Sequence, residues 1–265
     1  MIEKLTSTQN PKIKRIVQLS TKAKERKFAN IIVIEGFREI KMALEAGFEV
    51  TELYFCRELD TQQSIAGWLS NSKLHTTEVS KNVFEKVAYR ENSDGLIALA
   101  KPVYLSLEEV KLSHTPLILV LESVEKPGNL GALLRTADAG LIDAVVVCDP
   151  QTDIYNPNVI RSSLGCIFTN RVITCSTIDA IQYFKKNNIK TFAAALTGKT
   201  FYHETDLTCP AAIVMGTEAN GLTENWLNNA NEVIKIPMRG KVDSLNVSVS
   251  AAILIFEALR QRDFR

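Results

Sequence analysis

The sequence predicts an α/β protein whose C-terminal part forms a mostly parallel sheet, preceded by a smaller αβα unit. Two observations predict this class. Short apolar runs typical of buried strands recur along the chain, and stretches with helical periodicity separate them. Strands that alternate with helices favour a parallel sheet covered on both faces. With 265 residues, of which 46% are hydrophobic and 23% charged, the chain can form one large or two ordinary domains.

The pattern of residues 1–105 predicts the smaller unit, and this unit begins with a basic helical arm over 1–30. The predicted helices are Pro11–Phe28, Phe37–Ala46, Gln62–Leu69 and Lys81–Val87, and the predicted strands are Ile31–Ile34, Glu52–Phe55, Leu74–Val79 and Gly95–Ala100. Two prolines in Lys101–Pro116 and few large apolar residues after Leu107 predict a linker over 106–116. The sequence therefore predicts an N-terminal domain over 1–105 and a C-terminal domain over 117–265.

From Leu117 onward the pattern predicts the larger domain. Its predicted strands are Leu117–Leu121, Ala144–Cys148, Arg171–Thr174, Thr191–Leu196, Ala211–Met215 and Glu232–Ile236, and a helix over Leu130–Ala139 ends at Gly140. The last predicted helix, Val247–Leu259, is apolar on nearly every side, so it needs cover all round. Burial within one subunit would provide that cover. A homodimer interface would provide it too, and this is the alternative we favour.

Positive charge is concentrated in an N-terminal arm. Residues 1–27 hold eight Lys and Arg against Glu3 and Glu25, a local charge of +6, whereas the whole chain carries +1. A basic arm on a slightly acidic body indicates contact with a polyanion such as nucleic acid. The pattern also fits an amphipathic helix whose lysines simply face water, because Ile13, Ile16 and Leu19 recur at helical spacing. The candidate nucleic-acid contacts are Lys12, Lys14, Arg15, Lys22, Lys24, Arg26 and Lys27.

Several common classes of protein are not indicated. The five cysteines include no Cys-x-x-Cys pair, so we expect neither a disulfide framework nor a metal site. No secretory signal and no apolar run of the ~18–20 residues that span a bilayer is found, so we expect a cytoplasmic protein without membrane contact. Gly198-Lys199-Thr200 resembles the end of a phosphate-binding loop, but the first glycine of that loop is replaced by Ala193.

Three segments carry the chemistry. They are Asn129–Arg135, Met215–Leu222 and Ile236–Val249. The last two each follow a strand-like run and place small or polar residues where the strand leaves the core, which is where open α/β sheets bind ligands. Gly216 and Gly221 bracket a loop that can approach a flat ligand closely, because glycine has no side-chain bulk. The sequence therefore predicts a ligand pocket made of backbone turns.

In order and spacing these segments closely resemble the three motifs of the SpoU (TrmH-like) ribose methyltransferases of the SPOUT superfamily. The resemblance implies S-adenosylmethionine as cofactor, a deep trefoil knot in the C-terminal domain and a homodimer. It implies a cofactor site formed by Leu196, Thr197, Gly198, Met215, Gly216, Gly221, Ile236, Met238 and Leu245. The polar catalytic positions that it implies are Asn129, Arg135, Glu218, Ser244 and Asn246.

The reaction implied by this resemblance is transfer of a methyl group from a sulfonium to a ribose 2′-hydroxyl of RNA. Positioning of the reactants can supply about 7–11 kcal/mol of the barrier reduction. Because arginine stays protonated, we expect Arg135 to clamp an RNA phosphate and stabilise the developing alkoxide rather than act as a base. Asn129, Glu218 and Asn246 would orient Arg135 and the ribose.

The N-terminal part resembles the substrate-binding domain that precedes the knot in many SpoU-like enzymes and shares a fold with certain RNA-binding ribosomal proteins. Ile34–Arg38 and Leu53–Phe55 carry this resemblance, which adds Arg38 to the expected RNA contacts. Asn10–Lys14 is typical of the branch that contains ribosomal-RNA methyltransferases. We therefore expect a methyltransferase of structured RNA, with ribosomal RNA favoured. The alternatives are a transfer-RNA substrate and a non-catalytic RNA-binding or ribosome-assembly protein that retains the fold.

Overall fold

The computed structural model describes residues 2–60, 74–90 and 93–264, in two compact units. The N-terminal unit contains the residues up to Val103 together with Tyr155–Thr169, and the C-terminal unit contains the remainder. The division expected from the sequence differs, because it assigns Tyr155–Thr169 to the C-terminal domain. The sequence also predicts a linker over 106–116. In the structure these residues belong to the C-terminal unit, and Leu107 is buried in its core. The predicted helix Gln62–Leu69 lies outside the described residues.

The two units contain short strands and helices in alternation. The strands are β1 (Glu3–Leu5), β2 (Ile32–Glu35), β3 (Val50–Phe55), β4 (His75–Val79), β5 (Leu96–Ala100), β6 (Leu117–Glu122), β7 (Ala144–Cys148), β8 (Val172–Cys175), β9 (Lys190–Ala194), β10 (Thr200–Phe201), β11 (Ala211–Met215) and β12 (Glu232–Lys235). The helices are α1 (Pro11–Thr21), α2 (Ala23–Ala29), α3 (Phe37–Glu45), α4 (Lys81–Val87), α5 (Pro127–Ala139), α6 (Pro157–Ser162), α7 (Cys166–Thr169), α8 (Thr177–Lys186), α9 (Glu224–Asn229) and α10 (Val247–Gln261).

Each unit has its own sheet. The N-terminal sheet has the order β1-β4-β3-β5-β2, with β5 antiparallel to both β2 and β3. The C-terminal sheet has the order β10-β12-β9-β11-β6-β7-β8, and every pair in it is parallel. The predicted fold class is thus confirmed, and the carboxyl ends of all seven C-terminal strands lie along one edge.

The single predicted helix Pro11–Phe28 is wrong, because the chain forms α1 and α2 with an extended residue, Lys22, between them. The break frees carbonyl groups in the last turn of α1, which need new donors. Arg26 supplies them: it is 4% exposed, and its guanidinium donates to the carbonyls of Leu19 at 2.6 Å and Ser20 at 3.4 Å. The apolar face of α1 packs into the core as its spacing predicts.

The last helix, α10, packs on α5 and β11 through its small and branched residues. Its N-cap is Asn246, whose side chain accepts from the Ser248 amide at 3.0 Å. Beyond its C-terminal end, the Arg262 guanidinium donates to the carbonyls of Thr115, Pro116, Leu207 and Cys209. Both ends of α10 are therefore fixed within the C-terminal unit.

Within the described residues, no helix is both long enough and apolar enough to cross a lipid bilayer. The same residues contain no cluster of three or more His, Cys, Asp or Glu side chains that could hold a metal ion. All five cysteines are free thiols, and Cys56, Cys148 and Cys166 are buried.

Candidate functional site

The loops that follow β9, β11 and β12 meet at the carboxyl edge of the C-terminal sheet, because β9 lies between the other two strands. They enclose a cavity of about 420 Å³, which we call the edge cavity. Its walls are formed by residues 194–197, 215–222, 234–236 and 243–245 and by the first turns of α10. This volume lies within the range of small-molecule sites.

The loop after β11 folds back on itself, and Gly216 makes this possible. The Thr217 amide donates to the Gly221 carbonyl at 3.0 Å, and the Gly221 amide donates to the Thr217 carbonyl at 3.1 Å. A Cβ atom at position 216 would lie 2.2 Å from the carbonyl carbon of Gly221, so no larger residue fits. Gly221 itself has a φ of +68°, a conformation that favours glycine.

Most of the residues predicted to bind the cofactor line the edge cavity. They are Leu196, Thr197, Met215, Gly216, Gly221, Ile236, Met238 and Leu245. Gly198 does not line it. A Cβ atom there would lie 2.7 Å from the carbonyl carbon of Ile234, so Gly198 allows the loop after β9 to pack against the backbone of β12 instead.

Three of the predicted catalytic side chains form a polar cluster. The Asn246 Nδ2 atom donates to Glu218 Oε1 at 2.5 Å and to Asn129 Oδ1 at 3.4 Å. These residues are far apart in sequence, and they meet because α5 begins beside the loop after β11 and the start of α10. Ser244 lines the edge cavity, and its hydroxyl contacts Asp243 at 3.4 Å rather than the cluster.

Arg135 does not join this cluster. It lies on α5 six residues after Asn129, an interval that turns the two side chains about 120° apart around the helix. Its side chain is exposed and forms no hydrogen bond or ion pair with any residue that the structure describes.

The sequence analysis missed two charged residues beside the cluster. Lys126, the N-cap of α5, places its Nζ atom 2.6 Å from Glu218 Oε2, and this hydrogen bond lowers the pKa of Glu218 below its ordinary value. Glu122 is 3% exposed and accepts from the Thr223 amide at 2.8 Å and from the Thr223 and Thr177 hydroxyls. A carboxylate directly after an apolar run was the available signal for Glu122.

A second cavity of about 100 Å³, which we call the small cavity, adjoins this cluster. Glu122, Lys126, Asn129 and Glu218 contribute to its lining. Glu218 also lines the edge cavity, so one carboxylate is accessible from both spaces.

In the N-terminal unit, the predicted RNA contacts fall into three groups: ion-paired, buried, and exposed without an ion pair. Lys12 pairs with Glu3 at 2.5 Å, Arg15 with Glu52 at 3.1 Å and Arg38 with Glu39 at 3.5 Å. The prediction for Arg26 is corrected, because this residue is buried and bonded to the end of α1. The remaining cations are exposed and have no ion pair with a described residue: Lys14, Lys22, Lys24 and Lys27.

Comparison with known families gives matches over both parts of the chain. A model described as the SpoU rRNA Methylase family matches residues 116–256, which is more than half of the chain. A model described as the MRM3-like substrate binding domain matches residues 10–98.

Individual relatives match nearly the whole length. The 23S rRNA (guanosine(2553)-2′-O)-methyltransferase RlmP of Bacillus subtilis (strain 168) is 29% identical over 255 residues, covering 96% of this chain and 98% of its own. A crystal structure of an RNA 2′-O ribose methyltransferase is 42% identical with a TM-score of 0.86, covering 98% and 99% of the two chains. The AdoMet-bound rRNA methyltransferase from Sinorhizobium meliloti is 26% identical with a TM-score of 0.88, covering 98% of each chain.

Proposed function

This chain belongs to the SpoU rRNA methylase family, and from that premise we propose that it transfers a methyl group from S-adenosylmethionine to a ribose 2′-hydroxyl of structured RNA. The observation that carries the proposal is the edge cavity, with Glu218 in its wall bonded to Asn246 beside Asn129. We favour ribosomal RNA, in the cytoplasm, because the Bacillus and Sinorhizobium relatives are rRNA methyltransferases by name.

The edge cavity suits S-adenosylmethionine in both size and lining. Leu196 and Leu245 are 59% and 38% exposed. A bound ligand would remove their apolar surface from water, which favours binding. The loop after Gly216 offers backbone donors and acceptors with no side chain at position 216 to hold a flat ring away. When bound, the cofactor supplies an electrophilic methyl group on a sulfonium.

The residues of this chain would act by binding and orienting the RNA. Glu218, whose pKa is lowered by Lys126, stays ionised at neutral pH and can accept a hydrogen bond from a ribose hydroxyl. Asn129 and Asn246 fix the direction of that carboxylate. We propose that Arg135 binds the adjacent phosphate and stabilises the alkoxide that develops during transfer, because its guanidinium is exposed and always charged.

We propose that a second copy of the chain covers the free face of α10. Val249 and Phe256 are 48% and 42% exposed and lie seven residues apart, which places them on nearly the same side of the helix. We also propose that the C-terminal unit contains the deep trefoil knot that the family resemblance implies. Its support is that α10, after β12, returns to pack on α5 and β11. We expect sedimentation equilibrium to give twice the mass of one chain, and a monomer would contradict the dimer.

The experiment that tests the activity is methyl transfer to ribosomal RNA by wild-type protein and by Arg135→Ala. We expect the variant to lose about 10²–10³-fold in kcat, because it lacks the cation beside the developing charge. Calorimetry should show nearly unchanged affinity for S-adenosylmethionine, since Arg135 does not line the edge cavity. Arg171→Ala is the matched control, because Arg171 is an exposed arginine of the same unit.

Each other outcome identifies a different error. Equal activity of Arg135→Ala would remove this residue from the reaction. Wild-type protein that binds RNA but no S-adenosylmethionine would be an RNA-binding or assembly protein. Methyl transfer to transfer RNA alone would overturn the choice of substrate.

A further inference from the structure

Lys126 occupies a position that local helix rules disfavour. It is the N-cap of α5, where Ser, Thr, Asp or Asn normally accept from the first amides, and its side chain makes no such bond. A cation at this end of a helix is also opposed by the helix dipole. A residue that breaks a local rule in two ways is expected to contribute elsewhere. The contact that Lys126 does make is with Glu218, at 2.6 Å.

The two oxygen atoms of Glu218 have different partners. Oε2 accepts from Lys126, and Oε1 accepts from the amide of Asn246. That amide is itself held in direction, because its Oδ1 atom accepts from the Ser248 amide at 3.0 Å and the Ser248 hydroxyl at 2.6 Å. A carboxylate fixed at both oxygens has one orientation, and Lys126 is the partner that carries a charge.

We propose that Lys126 is a positioning residue of the methyl-transfer site, which holds Glu218 in alignment with Asn129 and Asn246 before RNA binds. This inference rests on the proposed function. Lys126 acts through Glu218 and does not itself contact the reacting atoms.

Electrostatics around the pair support this role. The hydrogen bond from Lys126 is the largest influence that lowers the pKa of Glu218, and partial burial acts against it. The other charged side chains in the walls of the two cavities are Glu122, Glu125, Lys235 and Asp243. Lys126 is 68% exposed, so the ion pair adds little to folding stability. The effect of its loss should therefore appear in the titration of Glu218 and in catalysis.

The test compares Lys126→Gln and Lys126→Arg with Lys111→Gln, a change of another exposed lysine in the same unit. The Glu218 carboxyl is followed by carbon NMR from about pH 2 to about pH 7 and assigned with Glu218→Gln. Removing the cation leaves burial to raise the pKa of Glu218, so we expect its midpoint in Lys126→Gln to lie at higher pH than in wild type. Lys126→Arg should restore most of the wild-type value.

Kinetics with RNA supply the second readout. We expect kcat of Lys126→Gln at neutral pH to fall by about 10- to 100-fold through lost alignment, with KM for RNA unchanged. The acid limb of the kcat profile should move to higher pH, because Glu218 would protonate earlier on acidification. The three lysine variants should melt at the wild-type temperature, and Lys111→Gln should match wild type throughout.

Two results would overturn the role of Lys126. One is an unchanged Glu218 titration in Lys126→Gln. The other is a raised KM for RNA at constant kcat, with a salt slope smaller by about 1, because that result identifies Lys126 as a phosphate contact. Failure of the proposed function is distinguishable. Wild-type protein would then transfer no methyl group, while the NMR titration would still show whether Lys126 controls Glu218.

Discussion

The two units of the molecule use their charged residues differently. In the C-terminal unit all seven strands are parallel, so the polar residues that follow β6, β11 and β12 collect at one edge and line two cavities that share Glu218. In the N-terminal unit the sheet is mixed, because β5 runs antiparallel to β2 and β3 and its carboxyl end lies at the edge opposite to those of the other four described strands. The C-terminal loops carry small and polar residues at that edge, where open α/β sheets bind ligands, so short motifs predict a site there. The N-terminal unit offers only a charge pattern.

Several charged residues of the N-terminal unit build its structure. Glu39 is 1% exposed and accepts from Arg90 at 2.5 Å, and Glu35 accepts from the amides of Tyr89 at 2.6 Å and Arg90 at 3.3 Å. Burial raises the pKa of Glu35, which its hydrogen bonds only partly offset. Together with Arg26, these residues show that a count of charges overstates the surface available to RNA.

The largest expected effect concerns the C-terminal unit and tests whether the loop after β11 forms the cofactor site. In Gly216→Ala, the added Cβ atom meets the Gly221 backbone at 2.2 Å, so the loop must move. Overpacking of this kind costs about 3 kcal/mol, and we expect affinity for S-adenosylmethionine to fall by about 100-fold or more in calorimetry.

Gly240→Ala is the matched control for that substitution. A Cβ atom at position 240 meets nothing within 4 Å, although the residue lies in the loop between β12 and α10 of the same unit. We expect its affinity and melting temperature to match wild type. Wild-type affinity in Gly216→Ala would show that the loop after β11 does not form the cofactor site.

The sequence predicted the regular elements well where the local pattern matches the tertiary environment. β7, β11 and α4 have the predicted bounds, because apolar runs and helical spacing coincide with burial there. β1 and β10 were missed because they are edge strands of three and two residues that depend on pairing with β4 and β12. The break at Lys22 was missed because a side chain, Arg26 of the following helix, satisfies the carbonyls that it frees, and helical periodicity does not show such a contact.

The site could be predicted only in part for a related reason. Motifs predict the residues that form the polar cluster, Glu218, Asn129 and Asn246, whereas Gly198 does not line the edge cavity, because β12 packs against its loop in a tertiary contact. Lys126 lies at the edge of its motif, and its sequence neighbours give no sign of an ion pair with a residue 92 positions away. Resemblance to a family predicts a role only for residues that match its motifs. A residue outside those motifs, such as Lys126, is found only from its contacts in the structure.

The smaller expected effect tests the N-terminal side of the contrast. Lys14, Lys22, Lys24 and Lys27 are exposed and form no ion pair with a described residue. Replacing all four by Gln should weaken RNA binding and make the slope of log affinity against log salt smaller by about 3, since each phosphate contact contributes about 0.7–0.9. The paired control, Lys12→Gln with Arg15→Gln, should change the slope less, because both cations already hold carboxylates.

Arg26→Met completes that series, because Arg26 belongs to the same basic arm but is buried. We expect it to lower stability by about 1.5–3 kcal/mol, through carbonyls left without a charged donor, and to leave the salt slope at the wild-type value. If the four lysines also left the slope unchanged, the arm would be a solvated amphipathic pair of helices and RNA would bind elsewhere. In either outcome, a cation of this arm can bind a phosphate only if its side chain is exposed and is not already in an ion pair. Its position in a basic stretch of sequence is not enough.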